Sequence, residues 1–190
     1  MKRIGVLALQ GAFTEHIAML NRLGAEAIPI RLPEELAGLD GLVIPGGESI
    51  TIGKLMRAYD LTDPLKRLIT NGLPVMGTCA GMILLASQVI GSNGYSLGVM
   101  DIGVRRNAFG RQVDSFEADL TMPALGEPPF HAVFIRAPWI DNLGAGVETL
   151  ARLDNGTPVA AQSGNIIVAA FHPELTSDTR LHSYFLDLIK

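Results

Sequence analysis

The chain has very little sulfur nucleophile to offer: one cysteine, Cys79, in 190 residues. A single cysteine cannot close an internal disulfide, so nothing in the sequence requires an oxidising compartment. Long hydrophobic runs are also missing. Although 48% of the residues are hydrophobic, no stretch approaches the ~18–20 uninterrupted apolar residues of a membrane span. The start, Met1-Lys2-Arg3-Ile4-Gly5-Val6, moves directly into a strand pattern with no cleavage-site signature. A cytoplasmic protein is expected, with no membrane partner. Basic excess is absent too: the net charge is −4, which argues against a nucleic-acid partner. The one basic cluster, Arg105-Arg106 with Arg111, is too short to serve as such a surface. No Cys/His spacing supports a metal site, and no lysine sits in a motif that would hold a cofactor.

What remains is a chain long enough for one domain, expected over residues 1–190. Its first half alternates short apolar runs with helical patterns. Strands are expected at Ile4–Leu9, Ala27–Arg31, Gly41–Pro45 and Leu73–Met76. Helices are expected from about Thr14, over Ile52–Tyr59, from Thr62 to a stop at Gly72, and from Ala80 to about Val89. Alternation of this kind with continuous Val/Ile/Leu strands predicts an α/β fold: a mostly parallel central sheet covered on both faces. The second half changes character. Val99–Arg105, Phe116–Thr121, Ala132–Ile135, Val147–Leu153, Pro158–Gln162 and Ile166–Phe171 read as strands, some of them antiparallel additions. Hairpins are expected at Asp154-Asn155-Gly156 and Ser163-Gly164-Asn165, and a last helix from about Asp178.

Cys79 lies in Gly77-Thr78-Cys79-Ala80-Gly81, directly after an apolar strand and before a helix. Glycine-x-nucleophile-x-glycine at such a corner is the nucleophile-elbow pattern, in which a strained turn exposes the reactive atom. A lone cysteine is by itself most often a packing residue; the flanking glycines and the corner favour a nucleophile. A thiol nucleophile needs a base and a group to orient it. Of the histidines His16, His131, His172 and His182, only His172 follows an apolar strand, and Pro173-Glu174 comes next. In a parallel sheet the carboxyl ends of the strands share one rim, so Cys79, His172 and Glu174 are expected to meet there. The other three histidines suit surface or packing roles. Pro45-Gly46-Gly47-Glu48-Ser49 leaves the third strand on the same rim. It could be an ordinary turn or a phosphate cradle, though it lacks the Lys-Ser/Thr ending of a P-loop. Beside a nucleophile, Gly47 and Ala80 could supply the N–H donors of an oxyanion hole.

Gly-Thr-Cys-Ala-Gly, Pro-Gly-Gly-Glu-Ser and His-Pro-Glu, in this order, resemble the triad-type (class I) glutamine amidotransferases. Leu9-Gln10-Gly11-Ala12, the segment Asn107–Gln112, Asp114-Ser115-Phe116-Glu117 and Phe134-Ile135-Arg136-Ala137-Pro138 narrow the resemblance to the glutaminase subunits of pyridoxal 5′-phosphate synthases. It implies a flavodoxin-like three-layer fold and no cofactor bound by this chain. It also implies hydrolysis of L-glutamine to L-glutamate and ammonia through a Cys79 thioester, with His172 and Glu174 completing the triad. Glutamine would be held by Gly47, Glu48, Ser49, Arg106, Ile135 and Arg136. The ammonia would pass to a separate (β/α)₈ barrel synthase subunit, with Gln10 and Gly46 as a switch linked to that partner. A glutaminase feeding another amidotransferase, a cysteine hydrolase of similar fold, and a non-catalytic regulator of a synthase are the rival readings.

Overall fold

A computed structural model of the chain describes residues 1–91, 94–106 and 115–190. Its strands are β1 (Arg3–Leu7), β2 (Glu26–Ile30), β3 (Gly41–Ile44), β4 (Val75–Thr78), β5 (Ala86–Ile90), β6 (Met100–Arg105), β7 (Ser115–Leu120), β8 (Phe130–Ile135), β9 (Trp139–Leu143), β10 (Glu148–Arg152), β11 (Pro158–Ser163) and β12 (Ile166–Ala169). Its helices are α1 (Phe13–Arg22), α2 (Ser49–Ala58), α3 (Thr62–Thr70), α4 (Ala80–Leu85) and α5 (Arg180–Asp187).

The main sheet runs β2-β1-β3-β4-β12-β11-β10. Its first five strands are mutually parallel, and with β12 in fifth place the order is that of a flavodoxin-like sheet. β11 and β10 extend it antiparallel through the two expected hairpins. β2 carries Pro29, which costs no ladder hydrogen bond at an outer edge. Successive residues of a strand face opposite sides, and β3 shows both covers. Phe185 and Ile189, in and just after α5, close over Gly41, while α4 closes over Ile44. α1 meets α5 through His16 and His182, and α2 packs on α4. These contacts make three layers, as expected.

Two smaller sheets, β5-β6-β9 and β7-β8, sit beside the main one. The helix after Cys79 is shorter than its apolar run suggests. It ends at Leu85, and Ala86–Ile90 instead pairs parallel with β6. β9 is a strand that the sequence pattern does not announce. Around β7 and β8, Phe116 stacks on Phe134 at 4.4 Å, and Phe134 and Phe130 close on Phe171 at 5.6 and 5.7 Å. This aromatic cluster fixes the end of β12 just before His172, whose N–H donates to the Val133 carbonyl at 2.8 Å. Among the described residues no helix is long and apolar enough to cross a membrane.

Candidate active site

Cys79 adopts φ 50°, ψ −103° between β4 and α4. A positive φ is costly for any residue with a Cβ and is held only when its surroundings over-determine it. Here the Cys79 N–H donates to the Ala169 carbonyl at 2.8 Å, and the flanking glycines let the turn close. A Cβ at Gly77 would come within 2.8 Å of the Gly81 backbone, and one at Gly81 would overlap the Ile44 carbonyl oxygen. Gly81→Ala therefore has no low-cost packing and is expected to lower stability by ~1–3 kcal/mol, toward the upper end. Urea unfolding would measure this; an unchanged midpoint would show that the corner has slack.

The rim places the expected partners together. The His172 ring and Cys79 close on the same side of Gly46, Cys79 Sγ donates to the Ile135 carbonyl at 3.9 Å, and His172 Nδ1 donates to Glu174 Oε1 at 2.7 Å. The Glu174 side chain is fully buried. Burial alone would lower the His172 imidazole, but the hydrogen bonds to Cys79 and Glu174 and the charges of both raise it to about 10. At neutral pH the imidazole is thus held as a cation beside the sulfur.

A cleft of about 370 Å³ opens over the sulfur, within the range of small-molecule sites (~300–1,000 Å³). Gln10, Gly47, Glu48, Ser49, Ala80, Arg106, Ile135, Arg136 and His172 share its walls with Cys79. Every residue expected to hold glutamine therefore lines one cavity. The Ala80 N–H opens α4, where first-turn N–H groups have no intrahelical acceptor.

Glu48 has a task the sequence reading missed. Its carboxylate caps α2, accepting from Ile50 N–H at 3.1 Å and Thr51 N–H at 2.8 Å, and it accepts from Arg106 Nη2 at 2.9 Å. Partial burial would raise its pKa, but these hydrogen bonds and the Arg106 charge bring it below the usual range. The ionised Glu48 fixes Arg106 at the mouth of the cleft. Arg105 pairs with Asp141 at 2.9 Å, so the basic cluster is divided between two carboxylates. Arg111, like the expected motif residues from Asn107 to Asp114, lies outside the described residues.

Gly46 and Gln10 tie two loops together. The Gly46 carbonyl accepts from Ala12 N–H at 3.1 Å, and Gln10 Oε1 accepts from Glu48 N–H at 2.7 Å. A Cβ at Gly46 would overlap His172 Cε1 and lie 3.3 Å from the Cys79 Cβ, so only glycine leaves room for the imidazole.

Two expectations need correction. His16 and His182 are neither surface residues nor ordinary packing. Both are wholly buried, and His16 Nε2 lies 3.3 Å from Glu174 Oε2. The available signal was their position on the apolar faces of α1 and α5, beside Met19 and Leu20 and beside Leu181 and Phe185. A histidine on a buried face must find a polar partner. His131 does remain at the surface, within β8 rather than before it, between Asp119 and Glu117.

Known proteins match this chain over nearly its full length. The model of the SNO glutamine amidotransferase family matches residues 6–190. A protein of Herpetosiphon aurantiacus named pyridoxal 5′-phosphate synthase subunit PdxT is 57% identical over 97% of this chain and 99% of its own. One of the same name from Pelotomaculum thermopropionicum is 60% identical over 97% of this chain and 94% of its own. A crystal structure described as a glutamine amidotransferase superimposes with a TM-score of 0.93 at 53% identity, covering 98% of both chains. PurLQS of Thermotoga maritima shares the fold alone, with a TM-score of 0.75 at 14% identity. The chain is a member of the SNO glutamine amidotransferase family.

Proposed function

We propose that this chain hydrolyses L-glutamine to L-glutamate and ammonia and delivers the ammonia to a synthase partner that makes pyridoxal 5′-phosphate. The observation that carries the reading is the Cys79–His172–Glu174 row at the floor of a cleft walled by Arg106 and by donor-rich loops. The names of the relatives support the same pathway and a complex of subunits. A barrel-shaped synthase subunit and a cytoplasmic setting, where a reactive thiol stays reduced, complete the proposal.

The α-carboxylate of glutamine pairs with Arg106, whose planar guanidinium has N–H groups beyond the one given to Glu48. Ile135 and Arg136 bound the cleft beside it. The side-chain amide then lies over Cys79. The thiolate attacks the amide carbon, and the oxyanion is met by the N–H groups of Ala80 and Gly47. His172 gives its proton to the departing nitrogen, which leaves as ammonia. A Cys79 thioester remains. Water, deprotonated by the now neutral His172, adds to the thioester carbon and releases glutamate, while the imidazolium–thiolate pair is restored.

Control by the partner follows from the loop ties. In a trans peptide the Gly47 N–H points opposite to the Gly46 carbonyl, and that carbonyl is tethered to Ala12. A subunit docking on the Gln10 loop would act on the peptide that supplies an oxyanion donor. The isolated chain is expected to turn over slowly and to gain at least ~10-fold, ~1.4 kcal/mol off the barrier, when the synthase subunit is added. Glutamate release with and without purified partner measures this. Equal rates would mean a preformed site without a switch, and no glutamate in either case would overturn the function itself.

A further inference from the structure

The Glu174 carboxylate has two oxygens, and His172 occupies only Oε1. Oε2 is buried without a hydrogen-bond partner among the described residues, and His16 Nε2 lies 3.3 Å from it in a contact where both side chains are fully enclosed. The other nitrogen of His16 lies 2.9 Å from His182 Nε2, and Thr78 Oγ1 is 3.1 Å from His16 Nε2. Among the described residues His182 Nδ1 is buried without a hydrogen-bond partner. The groups facing His16 from the elements packed on α1 are therefore Thr78, His172, Glu174 and His182.

These contacts choose the positions of the protons. If His16 carried its proton on Nδ1, the bare Nε2 would face the Glu174 Oε2 lone pairs, and His182 would bury an N–H donor with no acceptor. If His16 carries it on Nε2, that N–H donates to Thr78 Oγ1 and still turns its positive edge toward Oε2. Nδ1 then accepts from His182 Nε2–H, and the unpartnered ring atom is an acceptor, the less costly group to leave unmade. The second arrangement gives both ring N–H groups an acceptor.

We propose that His16 is a positioning residue for the triad: its Nε2–H, bonded to Thr78 Oγ1, sets a positive edge 3.3 Å from the second oxygen of Glu174 as an electrostatic clamp, while His182 holds its ring. The effect on turnover rests on the glutaminase reading; the proton positions do not. Burial and the neighbouring histidines keep His16 well below the usual imidazole range, and burial takes His182 down to about 4. Both rings are neutral at pH 7, so the only imidazolium bound to Glu174 is His172. A second cation at His16 would compete for the same carboxylate charge. A neutral donor fixes the carboxylate and leaves its charge to His172.

Two experiments test the proposal. In the glutaminase–synthase complex, His16→Leu removes the donor, whereas His16→Gln can still present an N–H to Oε2. His16→Leu should lower kcat about 10-fold with KM nearly unchanged. His16→Gln should recover most of the rate. A merely structural role would show as a loss of folded enzyme, read by melting temperature and active-site titration, rather than as a lower kcat per site. Near-normal kcat in His16→Leu, or no recovery in His16→Gln, would overturn the assignment. The second experiment uses the unmodified protein. Nitrogen-15 spectra of the histidine rings should show His16 neutral and protonated at Nε2 over roughly pH 5.5–8. An Nδ1–H tautomer or an imidazolium at neutral pH would refute the clamp, whatever the substrate.

Discussion

In the assembled complex, Cys79→Ala should release no glutamate above background, a loss of at least ~10³-fold. A glutamine-derived electrophile should add one covalent label to the original chain and none to the variant. The reasoning starts from uniqueness: Cys79 is the sole thiol, so no second sulfur can substitute. Its surroundings make it reactive as well as present, since the His172 imidazole beside it is held as a cation by Cys79 and Glu174. The substitution itself is mild. Alanine keeps the Cβ that already tolerates φ 50°, and only one buried sulfur is removed. The variant should therefore melt close to the parent, which separates lost chemistry from lost fold. Intact-mass spectrometry and glutamate assays read the two outcomes. Persistent labelling elsewhere, or turnover in Cys79→Ala, would remove the cysteine from the mechanism.

The parts of the molecule that the sequence discloses are those built by local rules. Continuous apolar strands ending in glycine or histidine marked the parallel sheet and its rim, and the elbow glycines marked Cys79. His172 and Glu174 followed because strand ends share that rim. The pieces that escaped depend on partners far along the chain. Leu84-Leu85-Ala86 continues the apolar run of α4, and only pairing with β6 turns Ala86–Ile90 into a strand. β9 carries Asp141 and Asn142 in its middle, which breaks the expected alternation, yet it pairs antiparallel with β6. Glu48 reads as a ligand contact and turns out to be a helix cap as well, because a cap is visible only once the helix start is known. His16 and His182 were the hardest: 166 residues separate them, they bond to each other, and His16 in turn meets a carboxylate at the site. The periodicity of each helix shows a histidine on a buried face; only the fold shows what it faces.

His172→Asn should cost more than Glu174→Gln, and the two should differ in kind. His172 alone touches both the sulfur and the carboxylate, so asparagine leaves no group able to protonate the departing ammonia or to activate water. Turnover should fall by ~10²–10⁴, close to background. In Glu174→Gln the imidazole remains and can still donate to an amide oxygen, but the charge that sustains the imidazolium is gone. The pKa of His172, raised to about 10 in the intact site, should then fall. The sign follows from the chemistry. The imidazolium is the acid for ammonia release, and it is lost as pH rises through the His172 pKa, so lowering that pKa moves the alkaline limb of the pH–rate profile to lower pH. The glutamine amide also places an NH₂ where Glu174 meets either His172 or His16. Turned to His16, that NH₂ sets a donor against the Nε2–H edge; turned to His172, it removes the acceptor of the imidazole. Glu174→Gln should thus lose rate through both charge and position, yet retain more than His172→Asn. Steady-state glutamate production across pH, with saturating synthase partner, resolves both variants. Near-normal turnover in His172→Asn would dismantle the triad. An unmoved alkaline limb in Glu174→Gln would show that the carboxylate orients the imidazole without governing its charge.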